Sequence, residues 1–194
     1  FIQERSEESI LKEIKGLNDL PGFAGNISDV GAPTANMYGM HGKDPELCGK
    51  CRRKSCLFPS PCKNMDRSHA RLLKLYEQIA AVVEPDVIIA SNTSALNIFE
   101  VVPEQLLPQM TICHWYAPPH VIPLVEVVKS EQAPQEYADI AVTMLNNCGK
   151  TAVFMKKFIK GYIVNRLQQC LNQEVFYLLD NGYCDAEAID LAAK

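Results

Sequence analysis

Four short apolar runs share the second half of the chain with helical stretches, and this pattern restricts the fold more than any other feature. The runs are DVIIASN (86–92), MTICHWY (110–116), VIPLVEVV (121–128) and TAVFM (151–155). The first is continuously hydrophobic and ends in small polar residues, as strands buried on both faces of a parallel sheet do. Pro123 cannot donate to a ladder, so it places the third run at a sheet edge or near the strand's own start. Between the last two runs, Pro134 opens a helix that carries Ile140, Ala141, Met144 and Leu145, and Gly149 ends it. Residues 161–180 set Ile163, Val164, Leu167, Leu171, Val175, Leu178 and Leu179 on one helical side. Gly182 closes that helix, and Asp185 caps the start of another. Strands interleaved with helices predict an α/β fold.

Before Pro85 the pattern differs. Ser6 followed by Glu7 and Glu8 is a helix start, with a capping hydroxyl and acids suited to the positive end of the helix dipole. Ile10, Leu11, Ile14 and Leu17 repeat at helical spacing, which predicts a helix over 7–19 ended by Pro21 and Gly22. FAGNISDVG (23–31) reads as a short strand running into a turn. Residues 31–65 are rich in Gly, Pro, Asn and Cys and predict a long irregular stretch, which a compact domain holds only if something pins it. A metal would do so. Helical spacing returns over 67–83 through Leu72, Leu73, Tyr76 and Ile79.

The 194 residues suffice for one full domain or two small ones, and 47% hydrophobic content can build a core. A net charge of −4 argues against a nucleic-acid partner, because no broad basic field is available. The local cluster Lys50, Arg52, Arg53 and Lys54 reads as a solvated loop. No apolar run approaches the roughly 18 residues of a membrane span. The acidic start FIQERSEESI lacks the apolar centre of a signal peptide, so a cytoplasmic location is expected. It also lacks an initiator methionine, so a fragment or a processed product is expected. Cys48, Cys51, Cys56 and Cys62 are clustered, whereas Cys113, Cys148, Cys170 and Cys184 are scattered. Without a secretory signal, clustered thiols point to metal more than to disulfides. Zinc or an iron–sulfur cluster suits the four, with free thiols as the alternative; His41 and His69 are spare candidates.

The run CHWYAPPHVIPLVEVV (113–128) keeps His114 and Glu126 in nearly apolar surroundings. A neutral imidazole accepts a proton near neutral pH, and it does so best when a carboxylate sets its tautomer. If 113–116 and 124–127 are neighbouring strands, the even spacing lets both side chains face one side of a sheet. A structural pair would have the same spacing.

ASNTSAL (90–96), HWYAPPHVIPLVEVV (114–128), GKTAVF (149–154) and GYIVNRL (161–167) occur in this order, and together they resemble the 3-hydroxyacyl-CoA dehydrogenase family over about residues 82–194. The resemblance implies a partial Rossmann-like sheet with C-terminal helices, NAD as cofactor, an acyl-CoA substrate, a role in fatty acid metabolism and a homodimeric parent. It implies His114 as general base, Glu126 as its orienting partner, Ser94 and Asn165 as donors near the reacting oxygen, and Asn92 and Ser94 against the cofactor. The chain departs from the family at Ala117, where the family has an Asn that approaches the nicotinamide. It also departs in MKKFIKG (155–161), whose Lys156, Lys157 and Lys160 suit either an anionic CoA tail or solvent. No G-x-G-x-x-G turn is present, and GNISDVGAP has the wrong spacing, so impaired activity is expected.

RSEESILKEI, GNISDVGAPTANMYGM, CRRKSCLFPSPCKN and SHARLLKLYEQI resemble instead the YgiQ family of radical-SAM proteins, over about residues 1–80. That resemblance implies a loop-rich helix–strand segment of partial barrel type, with DVGAPTANMYG (29–39) lining an adenosylmethionine pocket. The cluster-binding CxxxCxxC triplet of the family would lie upstream of Phe1, and the rest of the dehydrogenase C-terminal domain beyond Lys194. The organisation expected is thus a radical-SAM-like fragment over 1–80, the last part of an NAD-binding domain over 81–160, and the start of a helical domain over 161–194. Three readings stand: an impaired hydroxyacyl-CoA dehydrogenase, an iron–sulfur or radical-SAM-related fragment, and a non-enzymatic metal-binding chimera.

Overall fold

A computed structural model describes residues 5–21, 26–28, 38–94 and 96–193, the side chains of 26–28 excepted. Residues 29–37 of the segment linked above to adenosylmethionine lie outside the described residues. The chain forms two compact units, Phe1–Phe158 and Ile159–Lys194.

The first unit is built on a five-stranded sheet whose spatial order follows the chain: β1 (Asn26–Ser28), β2 (Ile88–Ser91), β3 (Met110–Trp115), β4 (Leu124–Lys129) and β5 (Thr151–Met155). β1, β2 and β3 run parallel, β4 is antiparallel to β3, and β5 is parallel to β4. The reversal at β4 follows from chain length. The connection over 116–123 is too short for a crossover, so β4 can only return alongside β3. Pro123 stands just before β4, where its missing N–H costs the ladder nothing. Helix α4 (Gln135–Asn147) then supplies the crossover that lets β5 run parallel.

Strand alternation divides the sheet into two chemically different faces. On one, Ala141 and Leu145 of α4 pack with Ala90, Cys113, Val125 and Val127, and Trp115 and Phe154 flank them. The other carries Ser91, Ile112 and His114, with Val128 and Glu126 opposite the last two in register. Burial of Ile89, Met110, Ile112, Val125 and Val127 is complete or nearly so, each contributing about 1.5–3 kcal/mol.

The N-terminal segment joins this sheet. Helix α1 (Glu7–Asn18) begins where Ser6 Oγ accepts the Ser9 N–H at 3.2 Å, and it buries Ile10 and Ile14. It packs on α3 (Ala70–Ala80), which buries Leu72, Leu75, Tyr76 and Ile79. The Asn18 amide donates to the Val82 carbonyl, and β1 pairs with β2 along its full length. Among the described residues no closed barrel forms; β1, from the segment expected to be of partial barrel type, extends the sheet of β2 to β5 instead.

Residues 31–65, expected to be irregular, contain the short helix α2 (Pro45–Lys50). Asp44 Oδ1 accepts the N–H groups of Glu46 and Leu47, and Pro45 takes the first helical position, where no N–H is needed.

The second unit holds α5 (Val164–Asp180) and α6 (Ala186–Ala192). Gly182, at φ +69°, makes the left-handed turn after α5, and Asp185 Oδ1 caps α6 by accepting the Ala188 N–H at 2.8 Å. Among the described residues no helix is long and apolar enough to cross a membrane.

Candidate functional site

His114 is the fifth residue of β3, and Glu126 stands directly opposite it on β4. The cross-strand register therefore brings together two side chains twelve residues apart in sequence. His114 Nδ1 lies 3.0 Å from Glu126 Oε2, with the residues only 2% and 1% exposed. An ionised carboxylate has only acceptor capacity, so the proton of this bond sits on Nδ1 and the lone pair on Nε2. Exclusion of water strengthens the bond electrostatically. An imidazole and a carboxylate so arranged can act as a base, the carboxylate stabilising the imidazolium formed when the ring takes a proton.

The same oxygen, Glu126 Oε2, accepts a second bond from the Tyr116 hydroxyl. Tyr116 follows β3 directly and meets the His114 ring edge-on, with centroids 4.7 Å apart and planes at 67°. Sequence reasoning did not single out Tyr116. The signal available was its spacing of two from His114, which places alternate residues of an extended chain on one face.

At the carboxyl end of β2 the Asn92 side chain accepts the Trp115 N–H at 3.0 Å, tying the ends of β2 and β3 together. Thr93 Oγ1 bonds both the N–H and the carbonyl of Leu96 at 3.1 Å and shapes the loop in which Ser94 is exposed. Ser91, also missed from sequence, is 3% exposed, and among the described residues its hydroxyl has no hydrogen-bond partner. A buried orphan hydroxyl at the carboxyl end of a parallel strand suits the ribose–nicotinamide half of a dinucleotide, which α/β sheets take up at that edge. The chain has no counterpart of the glycine turn that would hold the pyrophosphate. Asn165 is exposed in the first turn of α5, in the second unit. Lys156, Lys157 and Lys160 are exposed, as is Ala117.

Cys48, Cys51 and Cys56 are exposed free thiols, and Cys62 is half-buried. Among the described residues no three His, Cys, Asp or Glu side chains are gathered to hold a metal ion. His41 Nδ1 is engaged with the Gly39 carbonyl at 2.6 Å, and His69 opens α3. Hydrogen bonds hold the loop. Gly42 and Met65 form an antiparallel bridge, and Asp66 N–H donates to the His41 carbonyl at 2.8 Å. Asn64 clamps Asp44 from both sides, accepting its N–H at 3.0 Å and donating to its carbonyl at 2.9 Å. The Asn64 amide also lies 3.3 Å from Cys48 Sγ. The Ser68 N–H holds the Asp66 carboxyl below the usual carboxylate range.

Comparison with known proteins finds two kinds of relative. Residues 72–158 match the family described as 3-hydroxyacyl-CoA dehydrogenase, NAD binding domain. The fold resembles that of (S)-3-hydroxybutyryl-CoA dehydrogenase from Ralstonia eutropha at 28% identity and a TM-score of 0.53, over 60% of this chain and 41% of that one. It resembles a 3-hydroxyacyl-CoA dehydrogenase from Archaeoglobus fulgidus at 26% identity and a TM-score of 0.51, over 61% and 40% of the two chains. A third neighbour, at 28% identity and a TM-score of 0.55 over 61% and 39%, is 5-formyl-3-hydroxy-2-methylpyridine 4-carboxylic acid 5-dehydrogenase, an NAD+-dependent dismutase. The other segment matches UPF0313 proteins. One from Bradyrhizobium diazoefficiens is 56% identical over 80 residues, which are 41% of this chain and 12% of that protein. Another from Bacteroides thetaiotaomicron is 48% identical over 82 residues, 42% and 13% of the two lengths.

Proposed function

We propose that the segment matching the hydroxyacyl-CoA dehydrogenases carries the proton-accepting centre of an NAD-dependent oxidation of a 3-hydroxyacyl-CoA, working in this chain at reduced efficiency. The carrying observation is the buried 3.0 Å bond between His114 Nδ1 and Glu126 Oε2 on neighbouring strands. His114 Nε2 takes the proton of the substrate hydroxyl, and Glu126 stabilises the imidazolium that results. NAD, when bound, supplies the chemistry of hydride acceptance. Asn92, Ser91 and Ser94 are the groups of this chain suited to its ribose–nicotinamide end. Ser94 donates to the substrate oxygen, and acyl-CoA is the substrate class of the hydroxybutyryl-CoA neighbour. The exposed Leu167, Leu171 and Phe176 of α5 fit the homodimer contact in the same reading. The missing glycine turn is the reason for the reduced efficiency.

Calorimetric titration with NAD and with acetoacetyl-CoA, followed by rates of NADH formation from (S)-3-hydroxybutyryl-CoA, tests the reading. Weak NAD binding and slow turnover are expected, with turnover falling about a hundredfold or more in His114→Ala. Absence of both binding and turnover in the unmutated chain rejects it.

A second reading, an iron–sulfur or radical-SAM-related fragment, is favoured by the 80-residue UPF0313 match and by four cysteines within residues 48–62. Visible absorbance after anaerobic purification would support it. Stoichiometric zinc without NAD binding would support a metal-binding chain with no dehydrogenase role.

A further inference from the structure

We propose that Tyr116 is a positioning residue of the His114–Glu126 pair, its hydroxyl holding the carboxylate in the orientation that receives the imidazole. The proposal rests on the dehydrogenase reading for its catalytic meaning, but that reading assigns Tyr116 nothing. Glu126 reaches His114 from the opposite strand through a side chain with three rotatable bonds, so each donor that engages the carboxylate restricts how it can turn. The Tyr116 hydroxyl donates to the same Oε2 that receives Nδ1, so a second donor from the His114 side of the sheet fixes that oxygen. The edge-on ring contact at 4.7 Å sets Tyr116 and His114 against each other as well.

The chemistry of the second donor matters as much as its geometry. A phenol stays protonated at neutral pH and donates to a carboxylate through a charge-assisted bond. That bond stabilises the ionised form of a side chain that is 1% exposed, where an unsupported charge is costly. It also withdraws negative charge from Oε2 and moderates the pull on the Nδ1 proton. Tyr116 itself is half-buried, so water could serve its hydroxyl, and the direction toward Glu126 is not forced by its own burial.

The test uses the full chain with nitrogen-15-labelled histidine. Long-range proton–nitrogen spectra read which ring nitrogen carries the proton and need neither cofactor nor turnover. Of the four histidines, His114 is assigned by its disappearance in His114→Gln. In Tyr116→Phe, which keeps the ring, the His114 nitrogen resonances are expected to move while those of His41, His69 and His120 stay. In parallel, kcat is expected to fall about tenfold, as for loss of a hydrogen bond to a charged group, with KM for the acyl-CoA nearly unchanged. Unmoved His114 resonances in a folded Tyr116→Phe variant overturn the proposal. If that variant fails to fold, fluorotyrosine at position 116 keeps the shape and strengthens the donor. It should then move the same resonances the opposite way, and no movement again overturns the proposal. A chain that makes no NADH but shows the Tyr116→Phe shift sinks the dehydrogenase reading alone.

Discussion

Glu126 occupies a strand position where an ionised carboxylate is unfavourable unless its oxygens are engaged, and Oε2 is met by His114 of β3 and by Tyr116 just after it. Removing the acceptor therefore disturbs two groups at once. Glu126→Leu is expected to lower stability by about 1–3 kcal/mol despite its greater hydrophobicity, because it strips the acceptor that His114 and Tyr116 share. Urea denaturation measures this, and a stabilised variant would show that the carboxylate is not held as described. The pair itself was legible from sequence because an even spacing across a reversing chain leaves few options. Tyr116 was not, because its partner is set by the course of the chain after β3. Ser91 escaped notice for a related reason: a small residue closing an apolar run looks like any strand end.

The elements with strong periodicity were read well. α1, α3, α4 and α5 appear within a few residues of their expected spans, and the four apolar runs became β2 to β5. The cysteine-rich loop was read less well. Asp44, Pro45 and Glu46 carry the start signals of α2, but the surrounding Gly, Pro and Cys masked them. Among the described residues of the loop no three metal donors are gathered, and Asn64 ties it by bonding Asp44 on both backbone groups. Asn64→Ala is expected to cost about 1 kcal/mol for each bond lost. It should also speed the reaction of Cys48 with a thiol reagent, since the Asn64 amide stands against that sulfur. Unchanged Cys48 kinetics would mean the clamp does not order the thiol.

For the molecule as a whole, segments with two different kinships share one sheet and lie within one compact unit. Sequence left their docking open. It depends on a three-residue strand and on contacts distant in the chain, neither of which a local pattern encodes. A shared core predicts shared unfolding. Ile14, 3% exposed, lies in α1, whereas Trp115 ends β3 and is the only tryptophan of the sequence. Ile14→Ala is expected to reduce stability by about 2–5 kcal/mol as read by Trp115 fluorescence. An unshifted Trp115 transition would show that the two segments melt independently. The β1–β2 ladder has one more consequence. Left bare, the outer side of β2 would be a row of amides ready to recruit a second copy and nucleate fibrils. Pairing with Asn26–Ser28 covers Ile88–Ala90 on that side, so the row is engaged within the fold rather than offered to a neighbour.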